Sequence, residues 1–425
     1  MQLNSTAQGR AERPAPRRSH ASTDAWRRRY WAIFIGQAFS QVGSATTQFV
    51  LLWWITDTTG SVSALALAGM CALLPQALLG PLGGTFADRY SRRLLMVVSD
   101  VLSALCVVVL MLMFLTNSVQ LWNVYTAMFV RSALQAFQVP AATASIAMLV
   151  PASFLPRAAG LNQTLQSISV IASAPLGALA VSVASVGWAL SIDVVTALMG
   201  VVPLLIWSIP QCKGPAIRKG VAREFAEGLR FVWNSTGLRY LYLLLGLVVM
   251  VVMPSFTLVP LLVKTHFLGG VREVALMEGA SGVGMALGGI LVALLAPRRQ
   301  LHWTLTGLAV SCFAIAATAL MPAQHFWLAV VIWGASGLAF VAGNAPMMAM
   351  LYAEIPNEIQ GRALSLLNTV LGLAAPVGLA LASPLGEAVG ITGLFVATGT
   401  AAGLVALVGF ASKSLHALGA KHRDG

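Results

Sequence analysis

Arg131 stands inside a long apolar stretch, four residues before Gln135 and seven before Gln138. In a helix that spacing puts all three on one face. An arginine at the centre of a membrane helix costs about 2.5–3.5 kcal/mol on insertion scales, so it marks a function or a buried partner. Four acids lie in similar surroundings: Asp57, Asp100, Asp193 and Glu278. One cation and a few carboxylates can hold or pass a proton and can bind a polar group. Neither the six scattered His nor the four Cys, at 71, 106, 212 and 312 with no CxxC pair, suggest a metal site or a disulfide framework. No Gly-Lys-Ser/Thr phosphate loop is present for ATP. An enzyme is therefore not expected, and neither a metal nor a cofactor is implied. By exclusion, an ion gradient, taken as the proton gradient, is the remaining source of energy.

Other polar residues recur at helical spacing. Gln37, Gln41, Ser44 and Gln48 fall at i, i+4, i+7 and i+11, and Asn162, Gln166, Ser169 and Ser173 repeat the pattern. Later in the chain the stripes change character: Met250, Met253 and Phe256 form one, and Trp333, Gly337, Phe340 and Asn344 another. A lone polar stripe can be glue between helices. Two such stripes with Arg131 favour a wet pathway, polar on one wall and apolar or aromatic on the other. That lining suits an amphipathic organic solute better than an inorganic ion or a free sugar.

The elements that position these residues follow from composition. Of the 425 residues, 9% are charged and 58% are hydrophobic. A soluble protein carries about 25% charged residues, so neither a soluble fold nor a disordered chain is compatible with these values. Apolar runs long enough to cross a bilayer recur twelve times. They fall near 30–56, 62–86, 94–116, 122–148, 159–182, 187–208, 239–263, 273–296, 302–320, 325–350, 362–385 and 390–411. The fold class is all-α membrane protein with 12 transmembrane helices, because open sheet edges cannot be satisfied in lipid. Of 26 Lys and Arg, 23 lie in the two tails and the loops on the N-terminal side. Lys264 and Arg272 fall in loops on the opposite side, and Arg131 alone lies within a span. This positive-inside bias puts both termini in the cytoplasm and accounts for the net charge of +12 without nucleic acid.

The chain divides into a disordered cytoplasmic tail (1–25), a six-helix bundle (26–209), a linker (210–238), a second six-helix bundle (239–412) and a short tail (413–425). Within the linker, Phe225, Leu229 and Val232 share one helical face, and Arg223, Glu227 and Arg230 lie on another, as in an amphipathic interfacial helix. An internal repeat supports two pseudo-symmetric halves. Pro151, Arg157, Ala158, Leu161 and Thr164 recur as Pro356, Arg362, Ala363, Leu366 and Thr369, and Gly83-Gly84 recurs as Gly288-Gly289 at the same offset. Parallel six-helix repeats are a known transporter plan.

Between the second and third spans runs Gly84-Thr85-Phe86-Ala87-Asp88-Arg89-Tyr90-Ser91-Arg92-Arg93. It resembles the loop signature of the major facilitator superfamily, Gly-x-x-x-Asp-Arg-x-Gly-Arg-Arg, with Ser91 for the second Gly. The resemblance implies a cytoplasmic gate in which Asp88 and Arg89, with Arg92 and Arg93, meet the start of the eleventh span. Gly84 would permit close helix approach, and Asp100 would join the latch. Ala174-Pro175-Leu176-Gly177-Ala178 resembles the family's exporter-associated motif and makes Pro175 and Gly177 hinge or packing residues. Trp53-Trp54-Ile55-Thr56-Asp57-Thr58, Phe137-Gln138-Val139-Pro140, Phe225-Ala226-Glu227-Gly228-Leu229-Arg230 and Gly361-Arg362-Ala363-Leu364 resemble the macrolide-efflux and enterobactin-exporter branch. The position of Arg131 is similar to that of the span-4 arginine of drug:proton antiporters, which implies a coupling role.

The resulting expectation is an exporter in the bacterial inner membrane, acting as a monomer on a small organic substrate and driven by proton influx. An importer or uniporter on the same fold, or a non-transporting membrane sensor, is the alternative. Coupling candidates are Arg131, Asp57, Asp193 and Glu278. Depth argues against a direct pair of Arg131 with Asp100. Asp100 is about 10 Å from the basic end of its span and Arg131 more than about 20 Å. Cavity candidates are Gln37, Gln41, Gln48, Gln135, Gln138, Asn162, Gln166, Met253, Phe256, Trp333, Phe340 and Asn344.

Overall fold

The structure, a computed structural model, describes residues 21–209, 221–297, 299–412 and 414–415, with the backbone alone at 21–25, 88, 221–225 and 357–358. Its helices in chain order are α1 (Ala21–Thr59), α2 (Val62–Arg89), α3 (Arg92–Leu115), α4 (Leu121–Leu149), α5 (Leu155–Val183), α6 (Val186–Ile206), α7 (Val221–Asn234), α8 (Thr236–Thr265), α9 (Val271–Leu295), α10 (Gln300–Leu320), α11 (Phe326–Glu354) and α12 (Asn357–Val408). Gly390, at φ 75° and ψ 170°, divides α12 into two spans. That backbone conformation is open to glycine at no steric cost. Twelve spans result, with α7 set apart as the linker helix.

Among the described residues, nine segments, α12 counting once, are long and apolar enough to cross a bilayer by themselves. The remaining two spans, α1 and α4, carry the Gln37–Gln48 stripe and the Arg131–Gln138 stripe. Both stripes line a cavity inside the first half.

Each half repeats the same packing. The α2–α4 pair closes where Gly83 meets α4: a Cβ there would fall 1.8 Å from the Ala136 carbonyl oxygen. The α9–α11 pair closes at Gly288, whose Cβ would fall 2.4 Å from the Leu338 carbonyl oxygen. Backbones approach this closely only where the side chain is absent. Gly84, expected to serve close approach, has no such neighbour within 4 Å. The packing role belongs to Gly83, and Gly84 faces open space.

The halves meet along two seams. In one, α2 lies on α12, with Val62 against Gly386 and Ala77 against Gly372; in the other, α5 lies on α9, with Ile171 against Gly282. The linker helix docks on the start of the first span of α12. Gly228 sits against the Arg362 backbone, and Glu227 pairs with Arg362 at 2.6 Å. Val232 is buried and Leu229 is 42% exposed. The inward face is Gly228, Phe231 and Val232, because only glycine admits the α12 backbone at that level. The side chain of Phe225 lies outside the described residues. So do residues 1–20, which make up most of the expected N-terminal tail, whereas α1 already begins at Ala21.

Candidate functional site

Two connected cavities occupy the middle of the molecule. The larger, about 1420 Å³, lies between the halves and is walled by α2, α4, α8, α10, α11 and α12. It reaches Gly84, Arg89, Arg92 and Arg362, so its mouth is at the basic end, where α2 finishes and α3 begins. The smaller, about 600 Å³, lies within the first half between α1, α2, α3, α4 and α5. The two share Leu73, Gln76, Gln135, Val139 and Thr143.

The opposite end is closed by contacts between the halves. Lys264 in the last turn of α8 forms an ion pair with Asp57 at 2.8 Å and donates to the Asp57 and Thr56 carbonyls. The Asp57 carbonyl, in the last turn of α1, takes no helical donor, so the lysine satisfies it and the helix dipole, while the Thr56 carbonyl also accepts from the Gly60 N–H at 3.1 Å. Ser63 of α2 hydrogen-bonds to Ser383 at 2.6 Å and donates to Glu387, both on α12. Among these residues only Asp57 was expected from sequence to have a role. The available signal was Lys264, one of only two cations on the side where cations are scarce.

Arg131 sits at the wall of the smaller cavity, with its Nη2 2.7 Å from Asp193 Oδ2; the two side chains are 7% and 4% exposed. Ser44 donates to the other Asp193 oxygen at 3.0 Å. The arginine is thus neutralised in place, which makes its burial tolerable, while its Nε finds no partner. Asp100, read from the sequence as a member of the latch, accepts from Gln37 Nε2 at 3.0 Å, and Gln138 in turn donates to Gln37 Oε1 at 2.8 Å. One chain of donors therefore runs from α4 through α1 to α3. Asp100 and Arg131 line the same pocket without pairing.

The polar candidates Gln37, Gln41, Gln48, Gln135, Gln138, Asn162 and Gln166 line the smaller cavity. Met253, Phe256, Phe340 and Asn344 line the larger one. Trp333 does not. It is buried in the core, 5.5 Å from the Phe256 ring and 6.4 Å from Phe395. Trp333 lies only two turns from the start of α11, where the halves are already closed, so the stripe leaves the cavity wall there.

Of the expected gate residues, Arg92 donates to the Ala144 and Ala87 carbonyls, and Arg93 to those of Leu204 and Leu205 at the end of α6. These two arginines tie helix ends together within the first half. Arg89 is exposed on the cavity mouth, and the side chain of Asp88 lies outside the described residues. Pro175 lies within α5, and Gly177 packs on the Phe49 ring of α1. Glu278 lies on α9 and lines neither cavity.

Comparison with known proteins adds the family. The model of the Major Facilitator Superfamily matches residues 33–379. The chain belongs to the major facilitator superfamily. Within it, this facilitator is 30% identical over 386 residues to macrolide efflux protein A of Streptococcus pyogenes, a match covering 90% of the chain and 95% of the relative. It is 25% identical over 380 residues to the multidrug efflux pump Tap of Mycobacterium tuberculosis, covering 86% and 88%. Among solved structures, the facilitator resembles a mutant of the nucleoside transporter NupG, with a TM-score of 0.71 at 11% identity, covering 89% and 98% of the two chains. A bacterial homologue of the lysosomal transporter Spinster, in an inward-facing and unoccupied conformation, gives 0.67 at 15% identity, covering 93% and 96%. At these identities the structures show the shared fold. The facilitator is a multi-pass membrane protein with the architecture of a transporter.

Proposed function

We propose that this facilitator exports an amphipathic organic solute, drug-like or siderophore-like, across the bacterial cytoplasmic (inner) membrane. The carrying observation is the cavity of about 1420 Å³, open at the basic end and closed at the other. The excess of Lys and Arg makes the basic end cytoplasmic, with both termini on that side. The conformation is then inward-open, ready to load from the cytoplasm. Loading is followed by rocking of the two halves about the midplane. The Asp57–Lys264 pair and the Ser63–Ser383–Glu387 contacts part, and the loop after α2 closes on the start of the α12 spans.

The drive is proton influx. Arg131 and Asp193 are the charges that respond to it, in a pocket that opens on the solute cavity through α4. A proton on Asp193 releases Arg131, whose guanidinium then turns toward Gln135 and Asp100. The names of the relatives support efflux as the direction and a macrolide-like compound as the first solute to try.

The test is accumulation of a labelled macrolide by bacteria that lack their own pumps and express the protein. Lower accumulation than in the empty host, restored by a protonophore, is the expected result. Equal accumulation across macrolides, catechol siderophores and cationic dyes would remove the export reading.

A further inference from the structure

The spacing of Trp333 with Phe340 and Asn344 puts it on the solute path, yet the structure buries it beneath that path. It is 1% exposed, and its indole Nε1–H has no partner. A buried donor left unpaired costs about 1–3 kcal/mol, so it calls for a partner that this conformation does not supply. Among the described residues, the other orphaned side-chain atoms lie elsewhere. Those of Arg29, Tyr30 and Thr47 are on α1, that of Arg131 is on α4, and that of Gln300 is at the start of α10, at the basic end.

The solute cavity ends on two aromatic rings. Its deepest lining residue on α8 is Phe256 and on α11 Phe340, with ring centroids 6.3 Å apart. Trp333 is seven residues outward of Phe340 on the same helix face, about 10 Å further. Its ring lies 5.5 Å from that of Phe256. Phe256 is thus a floor, with the cavity on one side and the indole on the other. Around this floor α8 is loosened. Pro254 and Pro260 lie within it and deprive the Met250 and Phe256 carbonyls of their helical donors. A helix interrupted in this way bends at that point.

We propose that Trp333 is a solute-binding residue of the outward-open state, in which its indole N–H donates to a neutral acceptor oxygen of the solute: a lactone carbonyl, a ketone or an ether. In the inward-open state the donor is shut behind Phe256. When the halves rock, the closed end parts and the Trp333 side of the floor faces the outer solution. A solute shifts a two-state equilibrium only by its difference in affinity for the two states. A donor offered in one state alone supplies that difference to an acceptor-bearing solute, and nothing to a solute without an acceptor. The proposal rests on the alternating-access reading above and names the chemistry of its solute.

Val62 packs against Gly386 at the closed end and makes a reporter of opening. We would place Val62→Cys in a chain whose four native cysteines are replaced by serine, and follow labelling by a membrane-impermeant maleimide on intact cells. A macrolide, rich in acceptor oxygens, should speed the labelling. Adding Trp333→Phe should cut that acceleration about fivefold, the worth of one hydrogen bond, and leave the rate without solute unchanged. Acceleration by tetraphenylphosphonium, a cation with no acceptor, should be the same with and without Trp333→Phe. An undiminished macrolide response in Trp333→Phe overturns the proposal. Equal loss with both solutes, or a change confined to the rate without solute, assigns Trp333 to packing or to water and also overturns it. If Trp333→Phe does not reach the membrane, benzothienylalanine at position 333, which keeps the ring shape without the N–H, decides by the same readings. A parent chain that answers to tetraphenylphosphonium and not to the macrolide overturns the Trp333 site but leaves alternating access standing. A reporter never labelled, with either solute present, removes both.

Discussion

Arg131 was legible in the sequence because a lone guanidinium in an apolar run is expensive. Its partner was not. Distance from the basic end of each span separates Arg131 from Asp100, but it says nothing of which helices are neighbours. Measured from the other end, Arg131 is ten residues into α4 and Asp193 seven into α6, a difference of about 5 Å that an arginine side chain spans. Ser44, on the stripe already visible in the sequence, completes the set. Removing one member of a buried pair costs about 3–5 kcal/mol because the other charge is left alone. Arg131→Ala should therefore lower the thermal midpoint of the detergent-solubilised protein and abolish export. Arg131→Met with Asp193→Leu should recover most of the midpoint without recovering export. A double variant that transports like the wild type would show that the pair is only structural.

Among the elements, the spans and their repeat were readable because hydrophobic length and Lys/Arg placement are one-dimensional signals. Which glycine of a repeated pair does the packing is a matter of helix azimuth, and the motif-based assignment to Gly84 was wrong on that account. The same blindness kept Trp333 on the cavity wall past the level where the wall ends. Gly83→Val would drive a side chain into the Ala136 carbonyl, overpacking that costs about 1–3 kcal/mol. It should cut the amount of folded protein in the membrane, and Gly288→Val should do the same in the second half. Gly84→Ala and Gly289→Ala, with nothing nearer than 3.9 Å, should leave that amount unchanged. Fluorescence-detected size exclusion of a tagged protein reads all four. Equal loss in all four would mean that the paired packing does not set the register of the halves.

At the scale of the whole molecule, the cavity has one mouth and the contacts between the halves at the other end keep it so. Sequence could place the cations of the basic end but not the clasp at the far one, because Ser63, Ser383 and Glu387 meet only after two bundles fold and dock. The Asp57–Lys264 pair is part exposed, with side chains 58% and 31% accessible, so it contributes no more than about 1 kcal/mol. Asp57→Ala should therefore raise outer-face labelling severalfold at most, without loss of insertion. A change of a hundredfold or more would make that pair, and not the α2–α12 seam, the main lock. The central claim is export exchanged for protons through an inward-open cavity. Inverted membrane vesicles, with a pH dye inside and the interior acidified, test it most directly. Adding solute outside, to the exposed cytoplasmic face, should release protons from the lumen and raise lumenal pH with the wild type, and with Arg131→Ala should not. No solute-dependent release across macrolides, catechol siderophores and dyes, or equal release from both proteins, would contradict it.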